Sequence, residues 1–295
     1  MLFAVSCGVF KQNQNSGVYR ALDVLPEGLQ YDGTLEERFY DCSEGEVTRR
    51  QMMVYLPASY KSEPERRYPV LYLLHGARGY ETSWIVKGDV LRITDSLVRR
   101  SEVKEYIIVM PNVNQYDSDA DCDDSRIKDA FEATYEIDGA VESAFVRDVV
   151  SFVDNCYRTV PDCSHRAVAG LSIGALQALW LSANFPGTFG YVGLFSPMLY
   201  PFFNNGEHKD FYKGLPAKME RQFSCPCPPE GYYLMIGQHD FLYETVFSFH
   251  LRMLRKGWKH SFVVSPGGHD WDNWTSYYIL MMKDAFRDEN TICNQ

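Results

Sequence analysis

What most constrains the fold is a series of short, unbroken apolar runs separated by helical patterns. Val70-Leu71-Tyr72-Leu73-Leu74 has the length of a strand and is apolar at every position, so both of its faces need cover. Similar runs occupy 107–110, 167–169, 191–195, 232–236 and 261–264, and the stretch from Glu46 to Leu56 reads as extended. Helical patterns lie between them, at roughly 88–100, 140–157, 174–184, 242–256 and 272–287. The fourth ends in Lys256-Gly257, a cation followed by the residue that most easily leaves a helix. Doubly buried strands alternating with helices of this length imply an α/β fold, with a mostly parallel sheet and helices on both faces. No repeat or linker divides the chain. Residues 1–45 are therefore read as an N-terminal tail and leading extended segment, and residues 46–295 as one domain.

Composition narrows the partners. The formal net charge of −10 argues against a nucleic acid, because phosphate binding needs a basic face. No run of about 18 apolar residues is present, so no membrane span is expected. The eight cysteines form no C-x-x-C and no zinc-finger spacing, so a structural metal site is not expected; no cofactor is expected either. Their even number permits disulfides. Cys225 with Cys227 and Cys156 with Cys163 are the nearest pairs in sequence, and buried free thiols fit equally well. The start, Met1 to Cys7, resembles the tail of a secretory signal or of a lipoprotein cleavage site, although it lacks a basic segment and its apolar stretch is short. A secreted, periplasmic or lipoprotein-anchored location is the expectation that follows. Two long segments, 113–138 and 197–230, interrupt the alternation and read as loops. The first carries aspartates at alternate positions from Asp117 to Asp123, yet Cys122 and Lys128 stand where a calcium loop needs Gly and Glu.

Chemistry concentrates at Gly170-Leu171-Ser172-Ile173-Gly174. The pattern G-x-S-x-G is weak alone, but here an apolar strand precedes it and the helix-forming run from Ala175 to Trp180 follows. That setting is a nucleophile elbow, in which flanking glycines let backbones approach and the serine is presented at the turn. An N-capping serine in a glycine turn is the plainer alternative. A serine hydroxyl needs an adjacent base. Of seven histidines, His269, in Gly267-Gly268-His269-Asp270-Trp271, follows the final strand, where α/β-hydrolases place their base. The acid belongs at the end of an intermediate strand. Asp240, just beyond the run 232–236, fits better than Glu244, Asp270 or Asp272. The amides of Ile173 and of Ala77, in His75-Gly76-Ala77-Arg78-Gly79, are the expected oxyanion donors, with His75 holding that loop.

With these residues in place, the chain resembles the esterase D-like branch of the α/β-hydrolases, in particular feruloyl and acetylxylan esterases of the first carbohydrate-esterase family. The resemblance runs from about Arg49 to Phe286. It rests on Val54-Tyr55-Leu56-Pro57-Ala58-Ser59-Tyr60, Leu73-Leu74-His75-Gly76 with Trp84, Val109-Met110-Pro111-Asn112, the elbow, Gly237 with Asp240, and Gly267-Gly268-His269-Asp270-Trp271 with Trp274. The family elbow usually reads G-L-S-M-G-G, whereas Ile173 and Ala175 stand here. The resemblance implies an α/β-hydrolase fold and a serine esterase that forms an acyl-enzyme on a feruloyl or acetyl ester of xylan. An acyltransferase, an S-formylglutathione-type thioester hydrolase and a non-catalytic glycan-binding protein are the alternatives. Trp84, Trp271 and Trp274 are candidate stacking surfaces for a sugar or phenolic ring, or else core beneath the site.

Overall fold

The apolar runs form six adjacent strands of one eight-stranded sheet in a computed structural model that describes residues 25, 27–44, 49–77, 79–114, 139–199 and 214–286. The strands are β1 (Thr34–Asp41), β2 (Arg49–Leu56), β3 (Val70–Leu74), β4 (Ile107–Pro111), β5 (Arg166–Leu171), β6 (Tyr191–Phe195), β7 (Gly231–Gly237) and β8 (Ser261–Ser265). Their spatial order is β1-β2-β4-β3-β5-β6-β7-β8. Pairing is antiparallel from β1 to β4 and parallel from there to β8. Every residue of β3, β4, β6 and β7 is buried, the burial expected of strands covered on two faces. Val70, Tyr72 and Leu74 enter one core cluster while Leu71 and Leu73 enter the other, so the sheet separates two cores.

The helices are α1 (Ser83–Val86), α2 (Val90–Arg99), α3 (Ala140–Phe145), α4 (Ser151–Cys156), α5 (Ile173–Asn184), α6 (Leu215–Ser224), α7 (Tyr243–Lys256) and α8 (Trp271–Asp284). The helix expected over 140–157 is present with a π-helical stretch, Val146–Val150, between α3 and α4. Within α5, residues Ile173 to Ala183 are all buried, because the sheet lies on one side and α3 and α6 on the other.

Two features depart from expectation, and a third adds to it. The leading extended segment before residue 46 supplies a strand: β1 pairs with β2 along its whole length. Its residues 37–39 and 41 are polar or exposed, as suits an edge strand, so no apolar run announced it. The stretch 197–230 contains α6, opened by Gly214 in a left-handed conformation at φ 74° and by Pro216. Finally, Cys163 is bonded not to Cys156 but to Cys227, 64 residues away, while Cys156 and Cys225 are free. Parallel neighbours β5, β6 and β7 start at one end of the sheet, and that shared end brings Cys163 and Cys227 together. Residues 1–24, with the signal-like stretch Met1 to Cys7, and the aspartates from Asp117 to Asp124 lie outside the described residues.

Candidate active site

Ser172 sits between β5 and α5 with φ 55° and ψ −113°, a conformation that L-residues rarely adopt. Local packing enforces it. A Cβ on Gly170 would lie 2.5 Å from the carbonyl of Gly174, and one on Gly174 would lie 2.2 Å from the backbone oxygen of His75. Only glycines allow the strand, the helix start and the loop after β3 to meet this closely. The turn is held by Ser172 N–H donating to Phe195 O at 2.9 Å and by Met198 N–H donating to Ser172 O at 3.0 Å. A Cβ on Gly76 would stand 3.4 Å from Ser172 Cβ, so the loop after β3 forms one wall beside the serine.

His269 also borders the serine. Its Nε2 lies 3.1 Å from Ser172 Oγ, and its Nδ1 lies 2.8 Å from Asp240 Oδ2. A carboxylate only accepts, so the proton resides on Nδ1 and Nε2 is left to accept from the serine hydroxyl. Asp240 Oδ1 also accepts from Leu242 N–H at 2.9 Å. Burial pushes the Asp240 carboxyl toward its neutral form. The hydrogen bonds from His269 and Leu242, the His269 charge and nearby Ser196 outweigh burial and hold the carboxyl below its ordinary range. Ser196, itself at φ 48°, lies beside Asp240 without a hydrogen bond of full geometry.

The loops bearing Asp240 and His269 are tied together. His239 N–H donates to Gly267 O at 2.9 Å, and Asn273 Nδ2 donates to Gly268 O at 2.8 Å. Asp270 caps α8 by accepting from Asn273 N–H at 3.0 Å and accepts from Gly268 N–H at 2.9 Å. It therefore shapes the loop instead of meeting the imidazole. Glu244 and Asp272 are exposed.

The loop after β3 is clamped from several sides. Val113 N–H donates to His75 Nε2 at 3.1 Å, and the His75 Nδ1 proton goes to Gly76 O at 2.8 Å. Asn112 Nδ2 donates to Glu81 Oε2 at 2.9 Å, Asn114 Nδ2 to Gly79 O at 3.0 Å, and Trp84 Nε1 to Leu74 O at 2.9 Å. Ala77 is exposed at the turn of this loop. Ile173 is the first residue of α5, so its N–H is one of those that a helix leaves without an internal partner.

The three candidate tryptophans separate. Trp84 is 1% exposed and Trp274 is 7% exposed, so neither offers a face to a ligand; both are core beneath the site. Trp271, half-buried, bridges them with ring centroids 5.1 Å from Trp84 and 5.3 Å from Trp274. Phe241, which sequence reasoning passed over, lies 4.7 Å from the His269 ring. Its one sequence signal was its place directly after Asp240. Among the described residues no three His, Cys, Asp or Glu side chains gather as metal ligands, and no helix is long and apolar enough to cross a membrane.

A serine on a strained strand–helix turn, an acid after β7 and a histidine after β8, in a sheet of this order, define the class: the protein has an α/β-hydrolase fold. The chain belongs to the Esterase family, whose model, described as "Putative esterase", matches residues 43–284. It is 34% identical over 147 residues to an endo-1,4-beta-xylanase/feruloyl esterase of Xylanibacter ruminicola, a match covering 48% of this chain and 19% of that protein. It is 25% identical over 161 residues to endo-1,4-beta-xylanase Y of Acetivibrio thermocellus, covering 50% of this chain and 13% of that one. The chain thus spans less than a fifth of the length of either relative. Among solved structures, a ferulic acid esterase of the anaerobic fungus Anaeromyces mucronatus superimposes with a TM-score of 0.68 at 23% identity, over 90% of this chain and 94% of that one. An S-formylglutathione hydrolase of Staphylococcus aureus does so at 0.63 and 17%, over 88% and 99%.

Proposed function

We propose that this chain is a serine carboxylic-ester hydrolase that works through an acyl-enzyme and removes feruloyl or acetyl groups from plant cell-wall xylan. The observation that carries the mechanism is the continuous hydrogen-bond chain from Asp240 through His269 to Ser172 at the strained elbow. Ser172 Oγ attacks the ester carbonyl as His269 Nε2 takes its proton. Asp240 keeps the imidazole in that tautomer and stabilises the imidazolium. The carbonyl oxygen gains negative charge toward the Gly76 wall, where Ala77 and Ile173 N–H groups are its donors, each worth about 3–4 kcal/mol in comparable sites. His269 then returns the proton to the leaving alkoxide, and the alcohol departs. Water enters and gives a proton to Nε2 as its oxygen bonds to the acyl carbon; the bond to Ser172 Oγ then breaks, His269 returns the proton to Oγ, and the acid departs. What supports the substrate is the family together with the similarity to a protein named xylanase/feruloyl esterase.

The purified chain should react with a fluorophosphonate probe and turn over methyl ferulate or acetylated xylan in preference to S-formylglutathione. Ser172→Ala should abolish labelling and lower turnover by about 10⁶ with the fold intact. Near-normal turnover in that variant would refute the mechanism, and turnover of the thioester alone would refute the substrate.

A further inference from the structure

Among the exposed large apolar side chains of the described residues, Phe241 is the most open, at 68%. An isolated exposed phenylalanine needs no explanation by itself. Its position does. Phe39, also exposed, is covered by the Arg49 guanidinium at 4.8 Å. Phe241 instead lies against the His269 imidazole, with ring centroids 4.7 Å apart and planes tilted by 53°.

The surroundings of His269 fix what that position means. One ring nitrogen is taken by Asp240 and the other points at Ser172. Among the described residues, two aromatic rings touch the imidazole. Trp274 stands perpendicular to it at 4.9 Å and is buried, whereas Phe241 faces solvent. Phe241 therefore gives the histidine an apolar, aromatic neighbour on a side open to solvent.

Proton transfer says which part of an ester meets that side. The atom that receives the proton from Nε2 is the leaving oxygen, which must come within about 3 Å of Nε2 when the acyl-enzyme forms. A ring joined to that oxygen directly or through one methylene then lies beside Phe241. In the proposed mechanism the acyl oxygen turns instead to the Ala77 and Ile173 amides, on the side of Ser172 that the Gly76 loop borders. Phe241 thus borders the alcohol and not the acid. A sugar suits such a surface: its C–H face is apolar and packs on an aromatic ring, while its hydroxyls stay in the water that the open side leaves available. Phenylalanine has no polar handle, so the contact selects for shape and apolar area.

Resting on the esterase reading above, we propose that Phe241 is the stacking platform of the leaving-group subsite, where it takes the sugar ring that carries the ester. Two esters of one acid isolate this contact: methyl ferulate, and a feruloylated pentose oligosaccharide. In Phe241→Ala, the ratio of kcat/KM for the oligosaccharide to that for the methyl ester should fall about three- to tenfold, chiefly through KM of the oligosaccharide. Phe241→Trp should restore the ratio. An unchanged ratio would overturn the proposal. So would equal losses of kcat on both esters, which would place the role of Phe241 on His269 alone. Wild type active on methyl ferulate but indifferent to the sugar would overturn it while leaving the esterase standing. Wild type inactive on every ester would instead bring down the functional reading, and this inference with it.

Discussion

Replacing Asp240 with Asn exchanges one oxygen for an NH₂ group, and the surroundings dictate the consequence. The native carboxylate accepts from two donors, His269 Nδ1 at 2.8 Å and Leu242 N–H at 2.9 Å, and its side chain is fully buried. An amide has one accepting oxygen. If that oxygen keeps Leu242, the NH₂ group faces His269 and forces the proton onto Nε2, which can then no longer accept from Ser172. If the oxygen keeps His269, the NH₂ group confronts Leu242 N–H, and buried donors go unsatisfied at about 1–3 kcal/mol each. No negative charge remains in either arrangement to stabilise the imidazolium. The first arrangement is the cheaper one for folding, so the loss should fall on turnover: about 10³–10⁴ in kcat, or about 4–5.5 kcal/mol of barrier. Steady-state hydrolysis of an aryl acetate near pH 7.5, with competent sites counted and thermal melting recorded in parallel, measures this. A folded Asp240→Asn enzyme within tenfold of wild type would refute the assignment of roles.

Two further outcomes follow from the same geometry. The folded-state pKa of Asp240 lies below the unfolded value of about 3.9, so its contribution to stability is complete above that value and is lost as pH falls through the lowered one. Urea midpoints should therefore decline more steeply with acid in wild type than in Asp240→Asn, and parallel declines would contradict the linkage. Gly174→Ala should lower stability by about 1–3 kcal/mol, because the new Cβ would lie 2.2 Å from His75 O and 2.9 Å from Leu74 O, backbone atoms that must shift. Since the shifted loop carries Ala77, kcat should fall more than KM rises; unchanged urea midpoints and kcat would show that the approach is not tight.

Much of the framework was legible because its signals are local. Strands β3 and β6 have the bounds that their unbroken apolar runs imply, since a strand covered on both faces leaves no polar position. The elbow was legible because the close approach of Gly170 to Gly174 is a requirement on residue type. His269 and Asp240 were expected from chain order, and the structure has His269 Nε2 3.1 Å from Ser172 Oγ with Asp240 on the other ring nitrogen at 2.8 Å. Other features had no local signal. β1 has an exposed, polar face and pairs with β2 at the edge of the sheet. The partner of Cys163 depended on which strand starts share an end.

The aromatic residues mark the boundary between the two kinds of information. A chain with 15% aromatic content, and with Trp84, Trp271 and Trp274 near its reactive motifs, suggests a ring-lined site. Sequence determined the fold class, the strained serine and the residues that approach it, because periodicity and glycine sterics act over a few neighbours. It could not tell an aromatic ring inside the protein from one at its surface. Trp84 and Trp274 became core, and Phe241 became the open face beside His269, only when distant elements packed. Exposure belongs to the assembled layers, and no residue carries it alone.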